Sequence, residues 1–289
     1  MVSANSNVPC VTVRTSGGLG NQLFQYAVGR SLAITRGAKL VLDATFYDPG
    51  RHRRFELDQF PIEAEVRNYS QNCRIVRQAK AFGKKLFRVD PPEYREPHFH
   101  FDPSLLAVRL PVVLAGYFQS PRYFELHADL IRRELAPPQP FDAESLELAE
   151  VLCHQDSVAL HVRRGDYVSN PKARETFYEC SAKYYQDALQ RVPGNGPVVV
   201  VSDDISWARE NLPRTRPMHF AGEKGARSGL ADLWLMAQGK HHIIANSTFS
   251  WWGAWLSTTC TGTTVAPRHW FRTSKYDTRD LLPKEWSCV

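Results

Sequence analysis

The run His161-Val162-Arg163-Arg164-Gly165-Asp166-Tyr167 brings together an imidazole, two guanidiniums and a carboxylate. A guanidinium binds phosphate oxygens through paired N–H donors, and its charge survives any physiological pH. We therefore interpret the run as a candidate clamp for a diphosphate, with His161, Arg163 and Arg164 as binding residues. A surface turn whose arginines pair with Asp166 explains the same run equally well.

Ser202-Asp203-Asp204 follows the unbroken apolar run 198–201, which is typical of a strand covered on both faces. A carboxylate at this strand end, Asp203, can accept hydrogen bonds from a ribose or from the N–H edge of guanine, and a helix cap is the alternative. The chain contains no D-x-D pair of the kind that holds a divalent metal with a nucleotide diphosphate. We therefore predict no metal site, with arginines supplying the positive charge.

Asn246, Ser247 and Thr248 form a third polar cluster, where short amide and hydroxyl side chains begin a predicted helix. Such side chains cap a helix and also bond phosphate or sugar at its amino terminus. The three tryptophans that follow are assigned to packing, because large aromatic side chains are more often core than ligand platform.

The segment Gly17-Gly18-Leu19-Gly20-Asn21-Gln22 lies between a predicted strand and a predicted helix. Glycines there let the backbone approach a ligand, and the helix amino terminus presents unpaired N–H groups. Gly18 and Gly20 are therefore candidate anion-binding residues. A tight turn selected for packing explains them as well, since the full dinucleotide fingerprint and the P-loop lysine are both missing.

These clusters need a scaffold that places strand ends side by side, and the alternation of strands and helices predicts parallel α/β sheets. In open parallel sheets, ligands bind beyond the carboxyl ends of the strands. The predicted strands span 10–15, 39–42, 111–117, 157–162, 198–201 and 242–245, and the predicted helices span 21–34, 123–135, 143–152, 182–191, a segment from 205, 230–238 and a segment from 246 to 256. The first helix should leave Gln22, Gln25 and Arg30 on its surface. Residues 47–111 carry no clear pattern.

The length of 289 residues suits two domains, and three prolines within residues 137–140 mark the boundary between residues 1–136 and 141–289. A composition of 43% hydrophobic and 23% charged residues is that of an ordinary soluble globular protein. The formal charge of +6 favours anionic partners such as nucleotides. Apart from Arg51, Arg53 and Arg54, the basic residues are scattered along the chain. This scatter argues against nucleic acid as a partner.

The six cysteines, at 10, 73, 153, 180, 260 and 288, lack zinc-site spacing, and we predict free thiols in a reducing compartment. His98 and His100 should share one face of a strand in a structural role. Residues 1–8 show no signal peptide, and no apolar stretch reaches the roughly 20 residues needed to cross a bilayer. At most peripheral association with a membrane is expected.

Five segments taken in order resemble the α-1,2-fucosyltransferases of glycosyltransferase family 11. They are GGLGNQLFQYAVGRSLA, GYFQSPRYF, HVRRGDYV, SDD and ANSTFSWWGAWL, and they extend over nearly the whole chain. HVRRGDY and STFSWWGAWL are the most specific pair. The resemblance implies a GT-B-like fold, with two Rossmann-type domains whose parallel sheets face a central cleft. The amino-terminal domain would lie on the acceptor side, and the carboxyl-terminal domain would bind GDP-β-L-fucose.

The resemblance also implies roles for single residues. Arg163 would contact the β-phosphate, and Arg164 would support it or reach the acceptor. His161 and Asp203 would bind guanine or ribose. Ser247 and Thr248 would bond the diphosphate.

Asn21 matches an asparagine near the reaction centre of related enzymes that fucosylate protein O-sites, which resemble this chain through the G-x-x-G-N-Q and H-x-R-x-G-D patterns. Core-type fucosyltransferases carry a carboxylate ten residues after the histidine. This chain has Pro171 there, so their proposed base does not transfer. Asp166, Glu175 and Asn21 are the candidates for the group that receives the acceptor proton.

The reaction implied is inverting transfer of L-fucose to a terminal galactose hydroxyl in α-1,2 linkage, on a free or lipid-linked glycan. No cofactor or divalent metal is implied besides the donor. The expected setting is the cytoplasm of a bacterium, at the inner face of its membrane, or the Golgi lumen if the sequence lacks an anchor. The alternatives are α-1,3 or α-1,6 linkage, a non-catalytic nucleotide-sugar or glycan-binding module on the same fold, and a basic RNA-binding protein.

Overall fold

The computed structural model describes residues 8–47, 53–68, 91–139, 141–223, 227–258 and 262–289. The chain forms two compact units, Met1–Leu135 with Arg279–Leu281, and Ala136–Thr278 with Leu282–Val289. Predictions for residues 1–7, Arg51, Cys73, Pro140 and Cys260 lie outside the described residues.

The first unit contains a five-stranded parallel sheet in the order β3-β2-β1-β5-β4. Its strands are β1 Cys10–Arg14, β2 Lys39–Asp43, β3 Glu65–Arg67, β4 Glu93–Arg95 and β5 Val112–Ala115. The helices are α1 Leu19–Thr35 and α2 Ala128–Glu134. Val11 and Val13 of β1 are fully buried, and α1 contacts both β1 and β2. The sheet is therefore built around its central strand, next to the glycine segment.

A short return of the chain completes the first unit. Asp280 accepts hydrogen bonds from the backbone N–H of Phe101 at 3.2 Å and from Nη1 of Arg122 at 2.9 Å. Leu281 is only 1% exposed. Residues 279–281 thus contribute a carboxylate and an apolar side chain to a unit whose other residues precede position 136.

The second unit contains a six-stranded parallel sheet in the order β11-β10-β9-β6-β7-β8. Its strands are β6 Val158–Val162, β7 Val198–Ser202, β8 Met218–Phe220, β9 His241–Ile243, β10 Thr264–Ala266 and β11 Ser287–Cys288. Its helices are α3 Ala143–Leu152, α4 Gly165–Ser169, α5 Pro171–Thr176, α6 Ala182–Arg191, α7 Ile205–Asn211, α8 Gly229–Gln238 and α9 Thr248–Trp255.

The core of the second unit confirms two predictions. Every residue of β6 is buried, and so are residues 198–201 of β7, as expected for strands covered on both faces. Trp251 and Trp252 are fully buried and Trp255 is 8% exposed. Their rings contact one another in stacked and edge-on arrangements, so these tryptophans pack, as predicted. The α/β class with two parallel sheets is confirmed.

Two predictions of local structure are wrong. The helix expected over 123–135 begins only at Ala128, because residues 121–127 form two 3₁₀ turns and Phe124 leaves the helical region with a φ of −136°. His98 and His100 lie in a bend rather than a strand. Their rings stack at 3.6 Å, and Nδ1 of His98 is 3.0 Å from the carbonyl oxygen of His100.

Cys10, Cys153, Cys180 and Cys288 are free thiols. Among the helices of the described segments, none has both the length and the apolar character that crossing a bilayer requires.

Candidate functional site

The predicted polar clusters of the second unit lie at one edge of its sheet. Strand β6 pairs in parallel with β7 on one side and with β9 on the other, and Val162 is in register with Ser202. Because parallel strands end at the same edge, the residues that follow these three strands are neighbours. We call this edge the arginine edge, defined by Arg163, Arg164, Asp203, Asp204 and Ser247.

Arg163 is held by two carboxylates. It forms ion pairs with Asp166 and, at 2.8 Å, with Oδ2 of Asp203. The guanidinium carbon lies 5.3 Å from the centre of the Tyr167 ring. A guanidinium has five N–H donors, and the side chain is 25% exposed. The pairing with Asp166 that an ordinary turn would show is therefore present, and it leaves donors for a ligand.

Arg164 is more buried than Arg163. Its side chain is 14% exposed, and it pairs with Glu179 and with Oδ2 of Asp204 at 3.3 Å. The guanidinium also lies 4.2 Å from the centre of the Trp207 ring. Contacts with two carboxylates and one aromatic ring restrict its movement. Arg164 therefore stabilises the arginine edge and exposes less of its side chain to a ligand than Arg163 does.

Asp203 connects the two arginines. Oδ1 accepts a hydrogen bond from the backbone N–H of Arg164 at 2.8 Å, and Oδ2 pairs with Arg163. A Cβ at position 165 would lie 2.5 Å from Oδ2 of Asp203, so a larger residue there would have to displace this carboxylate from Arg163. The glycine of the RRGD sequence thus serves the approach of a carboxylate from the neighbouring strand.

His161 lies beneath this cluster, 5% exposed. Burial, and then the nearby Arg163, lower the pKa of its imidazole to about 3, so the ring is neutral at physiological pH. Within the described part of the chain, its buried Nδ1 has no hydrogen-bond partner. A buried ring nitrogen of this kind suits a ligand or an ordered water.

The third cluster separates into two parts. Asn246 is fully buried and donates to the carbonyl oxygens of Tyr178 and Trp270, so its amide braces the loop instead of facing a ligand. Ser247 precedes α9, and its hydroxyl makes no capping bond to the first turn. Thr248 is half-buried as the first residue of α9. Asn246 therefore holds the backbone, whereas the hydroxyls of Ser247, 8% exposed, and Thr248 lie at the start of α9.

The glycine segment lies in the other unit, at the carboxyl end of β1. Gly17 adopts a φ of +83°, and a Cβ there would lie 2.5 Å from Nδ2 of Asn21. Asn21 is half-buried, and its Oδ1 accepts a hydrogen bond from Nε2 of Gln119 at 2.9 Å. The carbonyl oxygen of Gly18 accepts from the first turn of α1, and Gly20 is buried within α1. The segment starts a buried helix, and Asn21 lies in the first turn of that helix, bonded to Gln119.

Two glutamines next to this segment were predicted on the surface, and that prediction is wrong. Gln22 and Gln25 are fully buried. Gln25 accepts from the backbone N–H of Ser16 at 2.9 Å and donates to the carbonyl oxygen of Gly116 at 2.9 Å. Gln22 donates to the carbonyl oxygen of Arg54 at 2.9 Å. The amides satisfy backbone groups of three separate loops, which offsets the cost of their burial.

Arg30, expected on the surface with them, is also mostly covered. Its side chain is 15% exposed and pairs with Glu134 at 2.6 Å. Tyr26 donates to the same carboxylate at 2.6 Å. The group ties α1 to α2.

Sequence reasoning missed the partners of the arginines. Glu179 lies in the loop before α6, and Trp207 lies in the first turn of α7. Neither belongs to a motif, and an ion pair across fifteen positions leaves no local pattern. The helix cap weighed as an alternative for the 202–204 strand end is also present, because Asp204 accepts from the backbone N–H of Trp207 at 3.1 Å.

A parallel α/β sheet with fixed arginines at its carboxyl edge is an arrangement that suits an anionic ligand. Comparison with known proteins identifies the family. The model of glycosyl transferase family 11 matches residues 4–289, and the chain belongs to this family.

Individual relatives cover most of the chain. An α-1,2-colitosyltransferase of Escherichia coli is 34% identical over 289 residues, covering 96% of this chain and 97% of that protein. A galactoside α-(1,2)-fucosyltransferase 1 of Saimiri sciureus is 35% identical over 280 residues, covering 89% of this chain and 70% of that protein. Among solved structures, the fucosyltransferase NodZ from Bradyrhizobium aligns over 87% of this chain and 94% of its own, with 14% identity and a TM-score of 0.47.

Proposed function

We propose that the protein transfers L-fucose from GDP-β-L-fucose to the 2-hydroxyl of a terminal β-galactose, with inversion at C1. The observation that carries this proposal is the arginine edge, where carboxylates fix two guanidiniums after β6, and the neighbouring parallel strand β9 leads into α9. The family, and a relative named as a galactoside α-(1,2)-fucosyltransferase, support the substrate class.

The diphosphate is proposed to bind at Arg163, Ser247 and Thr248. When the bond between C1 and the phosphate oxygen breaks, negative charge grows on the diphosphate and positive charge grows on the sugar ring. A guanidinium already fixed by Asp203 needs little reorganisation to stabilise that charge. Arg163 thus acts on the transition state more than on the ground state.

Asp203 and His161 are proposed to serve the nucleoside. The Asp203 carboxylate already accepts from the Arg164 backbone, and each carboxylate oxygen has a second lone pair for a ribose hydroxyl or a guanine N–H. Neutral His161 offers its Nδ1 as a further partner. Asp203 and Asp204 both pair with arginines, which supports chemistry that needs no divalent metal.

Colitosyl transfer is the second candidate, because the 34% identical relative is named an α-1,2-colitosyltransferase. Colitose is L-fucose without its 3-hydroxyl group. A site that hydrogen-bonds that hydroxyl would reject the deoxy sugar by a factor on the order of 10⁴, whereas an apolar contact would give about tenfold or less.

The test is a donor competition with product analysis. The full chain is given equal amounts of GDP-fucose and GDP-colitose with lactose as acceptor, with and without EDTA, and the products are separated by mass. We expect the fucosylated trisaccharide, with an α-1,2 linkage by NMR and a yield unaffected by EDTA.

A colitosylated product supports the second candidate, and α-1,3 or α-1,6 linkage contradicts the regiochemistry. Loss of yield with EDTA that added Mg²⁺ or Mn²⁺ restores contradicts metal independence.

A further inference from the structure

A cavity of about 700 Å³ opens at the carboxyl edge of the first sheet. Its lining comes from the ends of the adjacent strands β2, β1, β5 and β4 and from the residues after them. This volume falls within the range of small-molecule sites, and the carboxyl edge of a parallel sheet is where such sites form. Nothing in the donor chemistry described above uses this cavity.

The charges of the cavity balance. Arg14 and Arg95 line it, and both pair with Glu93 between them. Asp43 and Glu96 line it as well. The lining thus holds two cations and two carboxylates, and both arginines are already paired with Glu93, so the cavity offers no excess of positive charge to a phosphate or a carboxylate ligand. A neutral ligand rich in hydroxyl groups fits this balance.

The carboxylates of the lining are fixed in direction. Glu96 accepts from the backbone N–H groups of Tyr117 at 2.8 Å and Phe118 at 2.9 Å. Asp43 accepts at Oδ1 from the backbone N–H of Thr45 at 3.1 Å and from its hydroxyl at 2.7 Å. Each carboxylate oxygen can accept more than one hydrogen bond. Acceptors held in place lose little entropy when a sugar hydroxyl donates to them.

An aromatic ring completes the lining. Phe46 lies on the turn after β2 and is 37% exposed. Its ring meets that of Tyr47 edge-on, with centroids 5.1 Å apart and an angle of 83°. A pyranose has an apolar face of C–H groups and a rim of hydroxyls. An exposed aromatic ring beside fixed carboxylates matches both surfaces of such a ligand.

We propose that this cavity binds a neutral sugar residue of the acceptor, with Phe46 against the pyranose face and Asp43 and Glu96 accepting hydrogen bonds from its hydroxyls. The inference rests on the proposed function, because it takes the acceptor to be a glycan. It adds the particular cavity and side chains that recognise that glycan.

The test measures acceptor and donor separately in Phe46→Ala and in the control Leu106→Ala, which removes an apolar side chain that is 45% exposed in the same unit. Lactose binding is measured by saturation-transfer NMR without donor, and KM is measured for lactose and for GDP-fucose. We expect Phe46→Ala to raise the lactose KM about tenfold and to weaken direct binding equally. The GDP-fucose KM and the hydrolysis of GDP-fucose without acceptor should stay unchanged. Leu106→Ala should match the wild type throughout.

Each failure has its own signature. Transfer by the wild type with an unchanged lactose KM in Phe46→Ala overturns the cavity assignment and leaves the proposed function standing. Lactose binding that depends on Phe46, in a protein that transfers neither sugar, keeps the assignment and contradicts the function.

The charge balance gives a second readout on the wild type. A disaccharide that ends in glucuronate should bind at least about tenfold more weakly than lactose, because its carboxylate meets those of Asp43 and Glu96. Equal binding of the acidic and neutral disaccharides would overturn the assignment to a neutral sugar.

Discussion

The carboxyl edges of the two sheets are built from similar elements and carry different chemistry. At the arginine edge, carboxylates fix two guanidiniums after β6, which pairs with the strand that leads into α9. At the edge of the first sheet, the arginines are neutralised by Glu93 and the loops are held by buried amides. Strand order therefore determines where a ligand can bind, but not the charge of that ligand. The side chains that brace each edge decide which charge the ligand can carry.

Removal of Arg163 should have the largest effect on turnover. Arg163→Ala deletes the cation proposed to meet the growing charge, and kcat should fall by a factor on the order of 10² to 10³. Steady-state kinetics with saturating GDP-fucose measure this. Arg209→Ala is the matched control, because Arg209 also pairs with a carboxylate, Glu223, and is half-exposed elsewhere in the second unit. Near-normal turnover in Arg163→Ala would show that the arginine edge is not the site of the chemistry.

The buried amides allow the two edges to be compared in stability. Asn246→Leu and Gln25→Met each leave buried backbone groups without partners and should lower the unfolding free energy by about 3 kcal/mol. All seven tryptophans belong to the second unit. Thermal unfolding followed by tryptophan fluorescence should therefore report Asn246→Leu, while circular dichroism should report both variants.

The control for these two variants is Gln59→Met, an exposed glutamine whose change should cost under about 0.5 kcal/mol. A melting curve for Gln25→Met that matches this control would mean that the loops of the first edge are held by other contacts.

A fall in stability with rising pH should mark the first edge, whereas the lowered pKa of His161 at the arginine edge acts in the opposite direction. Burial raises the pKa of Glu96 from its ordinary value of 4.5 to about 7. The folded state therefore holds a proton that the unfolded state has released between these two values, and the unfolding free energy should fall as the pH rises through this window. The total contribution is on the order of 2 kcal/mol. Urea unfolding at pH 5, 6 and 7 measures it, and Glu96→Gln should lose this component of the slope while losing a backbone hydrogen bond at every pH. The same slope in the variant would assign the effect to other groups.

Asp166 should give the smallest effect. Its pair with Arg163 is 40% exposed on the carboxylate side, and exposed pairs contribute up to about 1 kcal/mol. Asp166→Asn should therefore change the GDP-fucose KM less than about fivefold, with kcat nearly constant. A fall in kcat greater than a hundredfold would instead identify Asp166 as the group that receives the acceptor proton.

The sequence was sufficient for the parts of the molecule that repeat a pattern. Apolar runs such as 198–201 predicted buried parallel strands, and the polar residues after them marked the arginine edge. The strands β8, β10 and β11 are two or three residues long, too short for a period of two to show. They were missed for that reason.

Buried polar side chains were harder to predict. Helical periodicity counts Gln22 and Gln25 as surface residues, because their partners are backbone groups of loops tens of residues away. The same limit hid Glu96, whose partners lie 21 and 22 positions ahead. A pattern along the chain records which residues avoid water, but it does not record which distant carbonyl or N–H group compensates a buried amide.

The return of residues 279–281 to the first unit constrains how the protein can be dissected. A fragment ending at Leu135 would lack Asp280, the partner of Arg122 and of the Phe101 backbone, and would expose the surface that Leu281 covers. Expression of residues 1–135 alone would then yield a first unit that lacks part of its own interior. Fusion partners, split reporters and domain exchanges among relatives should carry these three residues along with the first 135.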